Sequence, residues 1–248
     1  MSKLTIAHLF PDLLNLYGDG GNVRILEQRA LWRGINVEVL KIASDERFDF
    51  ADADIVFLGG APDREQKMAS EILQTMQEQL RWYVEKGGVL LAICGGYQML
   101  GKTWILNNES LPGLGILDIE TKRGNGENRL VGDIVLSSSI SSSPIVGYEN
   151  HAGLTYLGKT AKPFGKTIFG NGNNAEDKTD GVLYKNTLGT YLHGPLLAKN
   201  PEVADYLILQ ALKQQGCDID YLEKLDDSIE DEARNVQLKK LGLTNATK

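Results

Sequence analysis

The sequence predicts an α/β fold of three layers, a mainly parallel central sheet with helices on both faces. Three observations predict it. Short β-rich runs alternate with longer amphipathic stretches. The continuous apolar run at residues 89–93 is too short for an isolated helix and suits a strand covered on both faces. A chain of 248 residues is long enough for one such domain with a short appendage. The expected division is an α/β domain over residues 1–215 and a helical extension over 216–248.

The first half reads as β-strand at 4–9, helix at 23–33, strand at 37–42 and a buried strand at 55–58. Residues 64–85 place Met68, Ile72, Leu73, Met76, Leu80 and Val84 at three- and four-residue spacings, predicting one face of a long helix that Gly87 and Gly88 stop. The strand at 89–93 follows. From about Ile116 the runs become shorter and are separated by Gly, Asn and Ser, including 130–136 and 145–148, which predicts an antiparallel or mixed extension of the same sheet. The serine-rich stretch 137–143 and the Gly170-Asn-Gly-Asn-Asn174 run read as loops, the second with a phosphate cradle as its alternative. A strand at 188–192 precedes a helix at 201–214 whose first turn carries Pro201 and Glu202. Beyond Gly216, the positions of Ile229, Ala233, Val236 and Leu241 suggest one more helix.

Composition narrows the function. A formal net charge of −7 argues against a broad surface for nucleic acid or anionic lipid. No segment reaches the roughly 18 apolar residues of a membrane span. Met1-Ser2-Lys3 runs into a short apolar stretch unlike a signal peptide, so a cytoplasmic address is expected. The two cysteines, Cys94 and Cys217, lie in different contexts, which predicts neither a disulfide framework nor a metal cluster.

The chemistry concentrates at Cys94. A buried strand runs into a cysteine followed at once by two glycines and a helical pattern, as a nucleophile held on a sharp turn requires. A helix amino terminus facing the thiol favours the thiolate. Such a nucleophile needs a proton shuttle, and the chain offers His8, His151 and His193. His193 closes a strand before Gly194-Pro195, at the carboxyl edge of the sheet where open α/β folds keep their sites. His151 is the rival base or a supporting residue, and His8, inside the first strand, reads as a packed core histidine. Backbone N–H groups of Gly60, in Gly59-Gly-Ala-Pro62, and of Gly95 are the expected oxyanion donors. Arg129 could clamp a carboxylate through its planar fork, and Gln98 is the other candidate for holding substrate.

Taken together, Ile93-Cys-Gly-Gly-Tyr-Gln-Met-Leu-Gly101, Gly147-Tyr-Glu-Asn-His-Ala-Gly153 and Gly189-Thr-Tyr-Leu-His-Gly194 resemble the class I glutamine amidotransferases of the cobyric acid synthase (CobB/CobQ-like) branch. The likeness extends to Leu14-Asn-Leu-Tyr17, Gly59-Gly-Ala-Pro-Asp-Arg-Glu-Gln66, Asn128-Arg-Leu-Val-Gly-Asp133 and Phe169-Gly-Asn-Gly-Asn-Asn174. It is strongest to the small glutaminase subunits of bacterial lipid II isoglutaminyl synthases. The resemblance implies a nucleophile at Cys94, a base at His193 and glutamine binding by Arg129. It also implies a heterodimer in which ammonia passes to a Mur-ligase-like subunit, which uses ATP and Mg to amidate the D-glutamate of the peptidoglycan stem. No Gly-x-x-x-x-Gly-Lys-Ser/Thr loop occurs in this chain, so no cofactor is expected in it and ATP belongs to the partner.

One departure matters. The family usually carries a glutamate two residues after the catalytic histidine, and here Gly194-Pro195 follows His193. Either the Cys94–His193 pair suffices, or the acid that would orient the imidazole is expected from the ligase subunit or from elsewhere in this chain, with Glu149 the first candidate. Three rival readings stay open: a glutaminase serving another amidation, a cysteine hydrolase of the same fold with another substrate, and an inactive regulatory subunit.

Overall fold

The computed structural model describes residues 3–106, 109–124 and 129–243; Asn128 of the Arg129 motif and both chain ends lie outside them. In the first half, strands form where the apolar runs lie: β1 (Lys3–Leu9), β2 (Asn36–Ile42), β3 (Ile55–Leu58) and β4 (Val89–Ile93). Helix α1 (Gly21–Leu31) links β1 to β2, and α2 (Asp63–Thr75) and α3 (Gln77–Glu85) link β3 to β4. The single long helix expected at 64–85 is thus two, broken at Met76 (φ −110°, ψ 5°). The break lets each piece bury its own face: α2 turns Ala69, Ser70 and Leu73 inward, α3 turns Leu80, Tyr83 and Val84 inward, and Met68 is left 43% exposed.

A short α4 (Gly95–Met99) follows β4, then a strand-rich half: β5 (Thr103–Leu106), β6 (Glu109–Pro112), β7 (Ile119–Arg123), β8 (Leu130–Ser137), β9 (Ile145–His151), β10 (Gly153–Leu157), β11 (Gly165–Phe169), β12 (Thr179–Asp180), β13 (Val182–Tyr184) and β14 (Thr187–Thr190). Among the described residues the central sheet has the order β13-β14-β4-β3-β1-β2, parallel throughout except β13. The β1–β2 and β3–β4 crossovers run in opposite directions along it, so right-handed connections put α1 on one face and α2 with α3 on the other. Helix α5 (Pro201–Gln214) packs beside α1. The strand order reverses between β1 and β3, which marks the crevice outside their carboxyl ends as the place for a site.

The second half does not extend the central sheet, as the sequence suggested. Only β13 and β14 join it; the other eight strands form two sheets of their own, β10-β7-β5-β6 and β12-β11-β8-β9. The reason lies in the alternation of β8. Ile134 and Leu136 face the main core, while Val135, with Val146 of β9, faces outward and is covered by Leu238. A sheet with one face on the core and the other under a helix makes a separate layer.

That covering helix is α6 (Ser228–Lys240), inside the predicted extension, and of the four positions that suggested it only Leu241, just past its end, packs against this cluster. Ile229 and Val236 are 78% and 64% exposed and Ala233 is exposed too, whereas Arg234, Gln237 and Leu238 are buried. Polar anchors decide the orientation. Arg234 donates to both carboxylate oxygens of Glu202 at 2.8 and 3.0 Å and also to Asp231. Gln237 donates to the Gly147 carbonyl of β9 at 3.0 Å and accepts from Lys199. A buried guanidinium with both Nη groups engaged sets the helix more strictly than two exposed apolar side chains. Removing one member of a buried pair strands the others, so Arg234→Ala is expected to cost about 3 kcal/mol in denaturant unfolding. Ile229→Lys on the outer side of the same helix should stay within about 0.5 kcal/mol of wild type.

Candidate active site

Cys94 stands between the last residue of β4 and the first of α4 with φ 52° and ψ −108°, a conformation a non-glycine residue adopts only when the surroundings enforce it. Its N–H donates to the Thr190 carbonyl at 2.9 Å, tying the end of β4 to β14. The two glycines that follow let α4 start hard against the end of β3, since a Cβ on Gly96 would lie 2.6 Å from the Leu58 carbonyl oxygen. The strand-to-turn-to-helix elbow expected from the sequence is therefore present, and the Gly95 N–H sits in a helix first turn, where N–H groups have no partner within the helix.

His193 lies three residues past β14 and is held by a pair of backbone hydrogen bonds with Tyr148 of β9, at 2.8 and 3.1 Å. Its buried ring converges with Cys94: a Cβ on Gly60 would be 3.2 Å from Cβ of Cys94 and 3.6 Å from Cε1 of His193. On its other side, Nδ1 is 3.0 Å from Oδ1 of Asp19, a fully buried carboxylate. Burial works against a charged imidazole, but hydrogen bonding and charge from Asp19 and Cys94 outweigh it, and the His193 pKa is pushed up to about 10. Both neighbours thus favour the charged form of the ring.

Asp19 is the residue sequence reading missed. The carboxylate expected from the ligase subunit, or from Glu149, comes from the loop after β1, where Gly18-Asp19-Gly20-Gly21 follows the Leu14-Asn-Leu-Tyr17 motif. The available signal was an acidic residue among glycines at the carboxyl end of the first strand. Glu149 is fully buried elsewhere, accepting from the N–H and side chain of Asn171 and from the N–H of Gly172. Burial raises its pKa, yet the nearby His151 ring, 3.9 Å away, and hydrogen bonds from Asn171 and Gly172 hold the carboxyl below the usual range. These bonds also consume the N–H groups a phosphate cradle in the 170–174 run would have needed, so that run is a structural loop.

The other candidates divide. Gly60 approaches Cys94, but its N–H donates to Oδ2 of Asp19 at 3.0 Å and so is not free for an oxyanion. A Gly-Gly turn in the right place concealed a donor already spent. Both ends of the Gln98 amide are engaged inside the protein, accepting from Gln66 at 3.1 Å and donating to Tyr191 at 2.9 Å, which makes it a brace beneath the elbow. His151 is stacked on Tyr191 with ring centroids 3.5 Å apart, and its Nδ1 lies 2.7 Å from the Gly153 carbonyl, so it supports the wall behind the site. His8 is a packed core residue, edge-on to Phe57, with its pKa lowered to about 4 by burial and by Lys41. Arg129 lies at the rim, where Nε and Nη2 grip the side chain and carbonyl of Asn150 at 2.8 and 3.0 Å. Among the described residues no group of three or more His, Cys, Asp or Glu is placed to hold a metal ion, and no helix is long and apolar enough to cross a membrane.

Comparison with known proteins agrees with this geometry. Residues 5–201 match the CobB/CobQ-like glutamine amidotransferase domain. The chain is 46% identical over 237 residues, 95% of each chain, to the GatD subunit of the glutamine-hydrolysing lipid II isoglutaminyl synthase of Staphylococcus aureus. It is 38% identical to the corresponding Streptococcus pneumoniae subunit, over 96% of this chain and 93% of that one. Among solved structures, PurLQS from Thermotoga maritima shares the fold with a TM-score of 0.57 at 12% identity, over 88% of this chain and all of that one. A buried cysteine elbow, a histidine at the adjacent strand end and a match spanning most of the sequence lead to one conclusion: the chain belongs to the CobB/CobQ-like glutamine amidotransferases and is a glutamine-hydrolysing enzyme.

Proposed function

We propose that this chain is the glutaminase subunit of a two-subunit lipid II isoglutaminyl synthase, releasing ammonia from glutamine for an ATP- and Mg-dependent, Mur-ligase-like partner that amidates the D-glutamate α-carboxyl of lipid II. The observation that carries the hydrolytic part is the convergence of Cys94, His193 and Asp19 at the carboxyl ends of β4, β14 and β1. The near full-length likeness to two synthase subunits supports the acceptor. On this reading the reaction takes place in the cytoplasm and serves cell-wall synthesis.

The Cys94 thiolate attacks the side-chain amide carbon of glutamine, and the oxygen that gains charge points at the Gly95 N–H. The His193 imidazolium gives its proton to the amide nitrogen, the C–N bond breaks and ammonia leaves a γ-glutamyl thioester on Cys94. His193, now neutral, takes a proton from water as the oxygen attacks the thioester; the C–S bond breaks, glutamate departs and the thiolate–imidazolium pair is restored. Asp19 keeps the ring in the orientation both steps need. None of these steps calls on a metal or organic cofactor in this chain.

The direct test combines the purified chain with ATP, Mg, lipid II and the ligase-like subunit, and follows glutamate release and amidated lipid II together. Glutamate release without any amidated lipid II, under conditions where the ligase turns over with free ammonia, would point to another acceptor. Cys94→Ala should abolish glutamine hydrolysis with the fold retained, and Cys217→Ala should stay within about twofold of wild type. Labelling of Cys217 by an electrophilic glutamine analogue would remove the nucleophile assignment. Arg129→Ala should act mainly through KM, the loss of a charge-assisted grip worth about 1.5–3 kcal/mol.

Asp19→Asn should lower kcat by about 10²-fold or more and move the alkaline limb of the kcat/KM profile down from near pH 10 towards the ordinary histidine range. The sign follows from linkage. A raised folded-state pKa contributes stability that is complete below the unfolded value of 6.5 and is lost as pH rises through about 10. The wild-type advantage over Asp19→Asn in unfolding experiments should therefore shrink across that window.

A further inference from the structure

The Leu14-Asn-Leu-Tyr17 loop contains a second residue held in an unusual conformation. Tyr17 has φ 55° and ψ 24°, left-handed values that a bulky residue occupies only when its surroundings hold it there. Its ring is 51% exposed yet meets the His193 imidazole edge-on, with centroids 5.0 Å apart and planes at 74°. At the far end, the Tyr17 hydroxyl accepts from Nδ2 of Asn150 at 2.6 Å. Asn150 in turn occupies the Nε and Nη2 edge of Arg129. One tyrosine side chain therefore reaches from the catalytic imidazole to the guanidinium proposed to hold the substrate carboxylate.

Donor counting gives this bridge a chemical role. Because the hydroxyl accepts from Asn150, its own proton stays available to donate. Because Asn150 takes Nε and one Nη2 hydrogen, the guanidinium is fixed, and Nη1 with the second Nη2 hydrogen stays available. We propose that Tyr17 is a specificity-determining residue of the glutamine site, its ring forming the wall beside His193 and its hydroxyl donating, next to Arg129, to the substrate α-carboxylate, with Asn150 as the positioning residue that fixes both donors. This rests on the glutaminase reading. It accounts for a conformationally costly, half-exposed aromatic residue at the mouth of a buried site. It also makes the distance between the reacting amide and the carboxylate a quantity the protein measures with a rigid ring.

The test separates binding from turnover. In a Cys94→Ala background, glutamine and its α-amide, which lacks the carboxylate, are titrated calorimetrically with and without Tyr17→Phe. Phenylalanine keeps the ring over His193 and removes only the hydroxyl. The expected result is glutamine binding about 10-fold weaker or more, the loss typical of a hydrogen bond to a charged group, with α-amide binding changed less than about twofold. Asn150→Ala should weaken glutamine in the same selective way, and an unchanged melting temperature for Tyr17→Phe would exclude misfolding as the cause. With Cys94 restored, Tyr17→Phe should raise KM and leave kcat near wild type. Equal losses for both ligands, or none, would overturn the assignment. A wild-type chain that binds glutamine with this selectivity yet does not hydrolyse it would instead refute the glutaminase reading and leave the binding role standing.

Discussion

The site depends on one carboxylate. Asp19 is fully buried, and its two oxygens serve two different loops: Oδ1 faces Nδ1 of His193, and Oδ2 accepts the Gly60 N–H, each at 3.0 Å. The loop after β1 is thereby joined both to the residue beyond β14 and to the turn after β3. Two further bonds close the arrangement, from Leu16 N–H to the Gly60 carbonyl and from the Asn22 side chain to the Asp19 carbonyl. A buried charge is tolerable only with such partners, so the same requirement that stabilises Asp19 fixes the imidazole and the Gly59-Gly60 turn relative to Cys94. The spent Gly60 donor and the cis acid are two consequences of one interaction.

The strand-rich second half is the scaffold that holds the other side. His193 is not in a sheet of its own; its backbone is paired with Tyr148 of β9. The next residue of β9, Glu149, pins the 170–172 turn through three hydrogen bonds, and Asn173 in that loop accepts from the Gly181 N–H and from the hydroxyl of Tyr97, on the helix that follows Cys94. On the outer face, α6 reaches the same strand through Gln237 and the Gly147 carbonyl. Position is thus passed to the histidine through hydrogen-bonded backbone, which resists shear better than apolar packing alone because each bond is directional.

What the sequence made legible, and what it did not, follows from the range of the interactions involved. The β1 to β4 strands and the elbow at Cys94 rest on local patterns, apolar runs and small residues next to a cysteine, and these survive in the structure, which also puts the His193 ring beside Cys94. Asp19 was invisible because its role is a contact across 174 positions with no periodicity to announce it. The break at Met76 and the outward face of α6 were misread for a related reason. Hydrophobic spacing counts apolar side chains, whereas Arg234 and Gln237, buried by long-range polar contacts, set the helix rotation. Gly60 shows the limit at a single residue: sequence can place a backbone donor near the nucleophile but cannot tell whether another acceptor has taken it.

An acid supplied within the chain also explains how one histidine can serve as acid and then as base. With Cys94 unmodified, both Asp19 and Cys94 favour the charged ring, and its pKa, raised to about 10, keeps on it the proton that the departing nitrogen needs. Once the sulfur is acylated, the hydrogen bond and the charge from Cys94 are gone, and burial, which opposes the charged ring, is balanced by Asp19 alone. Acylation thus removes two of the influences that raise the pKa, which favours the neutral ring that takes a proton from water. The switch from donor to acceptor is driven by the covalent state of the cysteine, with Asp19 holding the geometry constant through both steps.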